Sequence, residues 1–360
     1  MSGSFGGRTL IDWDLAVSTA SRLAGPGPLV DRPEADAVVA ELRAGAEKSS
    51  PLVREFTGLV AQERTAPVLV VDRTGWIQAN ADAFSSIIGP LVEKIRAKRS
   101  SQSPLVDAVG SKVTGLEVGG LLGFMSSKVL GQFDPFYGLG DGPTGASGRL
   151  LLVAPNILHV ERELDVDPTD FRLWVCLHEE THRVQFTAVP WMRDHIYSEI
   201  ENLIGSVDLD PGKVAEMIGE GVRRIGAVIR GNDDASLLDL FASPEQRAVM
   251  DRVTGVMSLL EGHADVVMDG VGPSVIPSVD HIRRKFNERR KGGSYVDRVL
   301  RRLLGLDAKM AQYRDGAAFT RTVVDKVGME GFNAVWAQPA NLPDKREIGD
   351  PDAWVRRVHG

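Results

Sequence analysis

The chain has little of what usually announces a function. Its 360 residues include one cysteine, Cys176. No intrachain disulfide can form, and a zinc site built from several thiolates is excluded. No uncharged apolar run approaches the roughly 18 residues that a membrane-spanning helix needs. The opening MSGSFGGRTLIDWDLAV lacks a basic segment followed by an apolar core and a cleavage site. Glycines recur through 110–130, but no Gly-Lys-Ser/Thr follows them, so they read as close helix packing rather than a phosphate cradle. A net charge of −7 argues against nucleic acid and anionic membranes as partners. A cytoplasmic protein is the expectation.

What is present is ordinary for a soluble globular chain: 43% hydrophobic and 25% charged residues, enough for one large or two medium cores. Apolar spacing predicts helices over 11–24, 33–48, 51–63, 79–98, 168–188, 190–204, 211–229, 243–269, 279–291, 295–303, 307–326 and 351–358. APVLVVD (66–72) and RLLLVAP (149–155) read as short strands. The expected class is mainly α with a small β element. The expected organisation is a helical region over 1–137, a glycine-rich loop over 138–148, a catalytic region over 149–345 and a tail over 346–360.

The stretch CLHEETHRVQF (176–186) carries the chemistry. Asp167 and Pro168 mark a helix start just before it. Phe171, Trp174, His178, Thr181, His182 and Gln185 then fall three or four apart and share one face. His178 and His182 thus project from consecutive turns, where one helix can offer two imidazoles to a single zinc ion. Glu179, about 100° round the helix, stands beside such a metal and can take a proton from an activated water.

A catalytic zinc needs a third protein ligand. RVQFTAVPW follows His182, without the glycine and third histidine of one zincin branch. The other branch uses a later glutamate with an aspartate four residues beyond it. Of the glutamates after His182, Glu261 alone has that aspartate, Asp265, in SLLEGHADVVMD (258–269). Glu261 lies on or beside an apolar stripe, where a carboxylate is costly unless it is paired or metal-bound. Asp265 is placed to orient a ligand histidine through its second nitrogen. His263 is the rival third ligand and otherwise a group lining the site. Tyr197 and His281 are further candidates to line it and donate to an oxyanion. His195 and Glu199 read as an ordinary pair one turn apart, and the basic run RRKFNERRK (283–291) as a solvated helix face.

Together, HEETH, LLEGHAD and LLGLDAKMAQYRDG (303–316) resemble an actinobacterial and chloroflexal family of zinc-dependent, zincin-like metalloproteases or hydrolases. Some of its members are associated by context with deazaflavin coenzyme biosynthesis. The resemblance runs from about residue 10 to 340. It implies a mostly helical zincin-like fold and a Zn2+ cofactor. By the zincin pattern His178, His182 and Glu261 are ligands, Glu179 the general base and Asp265 the orienting carboxylate. Glu261 comes 79 positions after His182, much further than in well-studied gluzincins, so the segment 190–242 must fold away and return. The expected function is a zinc hydrolase that cleaves a peptide or amide bond. Two other readings are a non-catalytic zinc-stabilised helical scaffold and a hydrolase acting on a coenzyme precursor. Glu179 separates the scaffold from the enzyme, since a structural site has no need of a base there.

Overall fold

The computed structural model describes residues 11–61, 66–98, 104–138, 148–205, 244–291 and 306–360. Among them the chain forms two compact units, one from residues 1–190 with 271–282 and the other from 191–270 with 283–360. The described residues are mainly helical with one small sheet, as expected. None of their helices is long and apolar enough to cross a membrane. The helices expected over 211–229 and 295–303 lie outside the described residues.

The first unit is built around a three-stranded sheet in the order β1-β3-β2. Strand β1 (Val68–Val71) runs parallel to β3 (Arg149–Val153), and β2 (Gly131–Asp134) runs antiparallel to it. Every residue of β3 is buried, which suits the apolar run Leu150–Val153. Helix α3 (Arg73–Lys98) and helix α6 (Pro168–Ala188) both pack on the sheet. Helix α5 (Ala154–Leu164) follows β3 directly, with Pro155 in its first turn.

Helix α1 (Trp13–Leu23) lies along α4 (Pro104–Ser126) through the recurrent glycines. A Cβ at Gly115 or Gly119 would come within 2.7 Å of a backbone oxygen of Asp12 or Ala16. At Gly120 it would meet nothing within 4 Å, so only part of the glycine pattern serves this contact.

Helix α2 (Arg32–Thr57) is continuous where two helices were expected, with Pro51 in its interior. A proline there costs about 3 kcal/mol. The buried row Val38, Leu42, Ala46, Val53 and Thr57 runs past it, and the helix packs along α6, so tertiary burial overrides the local break. Three other features departed from the sequence pattern: α3 starts at Arg73 rather than 79, β2 was not anticipated, and nor was α5.

Among the described residues the second unit holds helix α7 (Met192–Gly205) and α8 (Pro244–Val275), whose last residues belong to the first unit. Also described are α9 (Val279–Lys291), which begins in the first unit, and α10 (Leu306–Phe332), which turns sharply at Gly328, where φ is 72°. Short helices α11 (Lys345–Gly349) and α12 (Pro351–His359) end the chain. Trp354 of α12 is fully buried, packs edge-on against Phe319, and donates its Nε1–H to the Asn341 carbonyl at 2.7 Å.

Candidate metal centre

Helix α6 starts as its sequence suggests. Asp167 accepts from the Asp170 backbone N–H at 2.9 Å and Pro168 occupies the first turn. From there it is buried on nearly every side, so its polar residues need partners. Thr181 donates its hydroxyl to the Leu177 carbonyl at 2.9 Å. Burial pushes the Glu180 carboxyl above its usual range, against the pull of Arg183, whose Nε stands 2.9 Å from it. Cys176 is fully buried beside α2, its Sγ 3.4 Å from the Leu42 carbonyl, and burial raises its pKa far above the ordinary thiol value. It is an inert core thiol.

His178 and His182 are only half-buried on this otherwise covered helix. Their rings stand nearly perpendicular, at 89°, and their Nε2 atoms converge to 3.3 Å. Two nitrogens bound at about 2.05 Å to one tetrahedral zinc are separated by roughly 3.3–3.4 Å. The pair therefore has the bite that a zinc ion requires. His182 donates its Nδ1–H to Gln185 Oε1 at 2.9 Å, which leaves the Nε2 lone pair for a metal. Gln185 is fully buried. Its orienting role was missed in the sequence reading, although its place three residues after His182 on the shared face was the available signal.

Glu179 is buried and lies against the edge strand β2. A Cβ added at Gly131 would stand 2.5 Å from Glu179 Cγ, 2.6 Å from Cδ and 2.9 Å from Oε1. Two residues on, Phe133 stacks on Phe186 of α6 with ring centroids 5.3 Å apart. Gly131 and Phe133 thus turn one face of β2 to α6. On the other face Trp76 donates its Nε1–H to Gln132 Oε1 at 2.8 Å, and Gln132 donates its amide to Asn80 Oδ1 at 3.0 Å. Asp134 pairs with buried Arg149 at 3.0 Å, and burial raises its pKa despite that pairing.

In the second unit Glu261 is buried at the middle of α8. Beside it α8 meets α10 at backbone distance. A Cβ at Gly262 would lie 2.0 Å from the Gly316 carbonyl carbon, and one at Gly316 would lie 1.8 Å from the Ser258 oxygen. Only glycine fits at either position. Asp265 is engaged by Arg321 at 2.9 Å and Arg283 at 3.3 Å, and Asp269 shares both arginines. His263 is fully buried, stacked on Phe332 at 5.4 Å and edge-on to Trp336 at 5.4 Å. Tyr197 on α7 and His281 on α9 are half-buried. Glu199 is held by Arg252 through two hydrogen bonds of 2.7 and 3.1 Å.

The family model described as zincin-like metallopeptidase matches residues 11–355. The chain belongs to that family. Membership brings with it the expectation of a zinc ion and of hydrolytic chemistry, and the donors on α6 fit that metal. The zincin-like chain is also similar to a solved structure, that of a suggested hydrolase with a novel fold from Chloroflexus aurantiacus. The two are 32% identical with a TM-score of 0.68, over 96% of this chain and 98% of that one. No curated protein matches.

Proposed function

We propose that this zincin-like protein is a zinc metallopeptidase in which His178, His182 and Glu261 hold the metal and Glu179 is the general base. The observation that carries the reading is the 3.3 Å convergence of two Nε2 atoms on the helix that also bears Glu179. Glu261 is the third donor by the zincin pattern, the glutamate after His182 that has an aspartate four residues on. Two neutral imidazoles and one carboxylate are the donor set of a hydrolytic zinc with a position left open.

Zinc, when bound, would polarise the carbonyl to be cleaved and bring the pKa of the attacking water toward roughly 7. Glu179 takes the proton from that water and passes it to the departing amine. Its burial against β2 keeps bulk water from competing for the carboxylate.

The edge strand supports a peptide as substrate. The Val153 N–H bonds the Leu130 carbonyl at 2.8 Å, which fixes the parity of the β2–β3 ladder. Gly131 and Phe133 therefore direct their backbone N–H and C=O groups away from β3. An extended chain can pair with them, its backbone read at the position beside Glu179.

The test is Glu179→Gln. Elemental analysis should show zinc retained, while cleavage of an unstructured peptide mixture falls about 10²–10⁴-fold. Undiminished cleavage refutes the assigned base. Tightly bound zinc with no cleavage by the wild-type chain favours the scaffold reading.

A further inference from the structure

We infer that Gly131 is a positioning residue: its bare Cα on β2 sets where the Glu179 carboxylate stands. The inference deepens the reading of Glu179 as base and rests on it.

Gly131 is not needed for its backbone. It is absent from the glycines with positive φ, and it sits in a regular antiparallel strand where alanine is readily accepted. The demand for glycine comes from Glu179. Ordinary contact begins at about 3.4 Å, whereas a Cβ here would meet Glu179 Cγ at 2.5 Å and Cδ at 2.6 Å. A methyl group therefore requires a displacement of nearly 1 Å.

The strand is not free to supply that displacement. Residues Gly131–Asp134 are paired along β3, and from the opposite face Trp76 and Asn80 hold Gln132 while Arg149 holds Asp134. The Glu179 side chain, with three rotatable bonds, is the softer partner. A carboxylate moved by about 1 Å loses its line to the attacking water, and misplacements of that size cost about 100-fold in rate.

The experiment is a four-member cycle of wild type, Gly131→Ala, Glu179→Ala and the double variant, read first by thermal unfolding. Gly131→Ala should lower the midpoint by several degrees in the wild-type chain and leave it unchanged or raised in the Glu179→Ala background. Zinc affinity, measured against a chromophoric chelator, should change less than threefold on Gly131→Ala. Turnover of a peptide substrate should fall about 100-fold in kcat with KM changed only a few-fold, because the backbone groups that pair with substrate remain. Equal thermal shifts in both backgrounds overturn the inference. So does full kcat in Gly131→Ala when Glu179→Gln is inactive. If Glu179→Gln is itself fully active, the base reading falls and the positioning role falls with it. The thermal cycle then identifies Gly131 as a packing contact only.

Discussion

Along α6, polar groups that reach the interior find partners on their own helix: Thr181 in the Leu177 carbonyl, His182 in Gln185, and Glu180 in Arg183, with Ser50 of α2 as a second partner. Along α8, Glu261 owes its place to the level at which the backbone crosses α10, fixed by Gly262 and Gly316. For the histidine pair and Gln185 the first arrangement is written into one helical period. The second is tertiary, and any added atom at the crossing moves the whole segment. Two imidazoles can thus be set by local geometry, whereas the buried carboxylate depends on a packed contact.

That contrast can be broken most forcefully at the histidines. His178→Ala combined with His182→Ala should reduce the zinc content of purified protein to background, by elemental analysis, with the helix retained by circular dichroism. Retained zinc would remove α6 from the metal reading. Next in size, Gly316→Ala should destabilise the fold by about 1–3 kcal/mol and weaken zinc binding, since its Cβ would run into the Ser258 carbonyl. The matched control is Gly120→Ala, where nothing lies within 4 Å; it should be neutral or stabilising by roughly 0.5–1 kcal/mol in chemical denaturation.

A smaller effect sharpens the α6 side. Gln185→Leu should weaken zinc about 10–100-fold in chelator competition while Gln185→Glu retains or improves it, because the acceptor for His182 Nδ1–H is lost only in the first. Equal affinity in all three chains would make Gln185 a core residue and no more. The smallest effect is a pH dependence carried by His195 on α7. Burial lowers the His195 pKa below 6.5, opposed by Glu199 and aided by Arg252. The unfolded chain then binds the proton more readily, so this contribution is complete above about pH 6.5 and is lost as pH falls through the folded-state value. His195→Gln should flatten the thermal midpoint over that interval.

How much of this was legible in the sequence follows the same division. The His178–His182 face, its Asp167 cap and the burial of Glu261 came from spacing within single helices, where period and chemistry agree. Gln185 sat on the recognised face, yet the sequence did not assign it a bond. Strand β2 escaped notice because GQFD is four residues long and opens on a glycine, with no alternation to mark it. The Gly131–Glu179 contact joins positions 48 apart, and no local pattern encodes it. The strings LLEGHAD and YRDG carried a family resemblance; their meeting at Gly262 and Gly316 gives that resemblance a steric cause. The helices expected separately over 33–48 and 51–63 are joined through Pro51, since a continuous buried row outweighs the local cost of the proline.

The lone sulfhydryl at Cys176 has a practical consequence. Shut within the interior and protonated at neutral pH, it stays unreactive toward maleimide dyes while the fold is intact. A cysteine introduced at any exposed site becomes the sole point of labelling, and two such sites, one per unit, give a ruler for fluorescence energy transfer without removing a native residue.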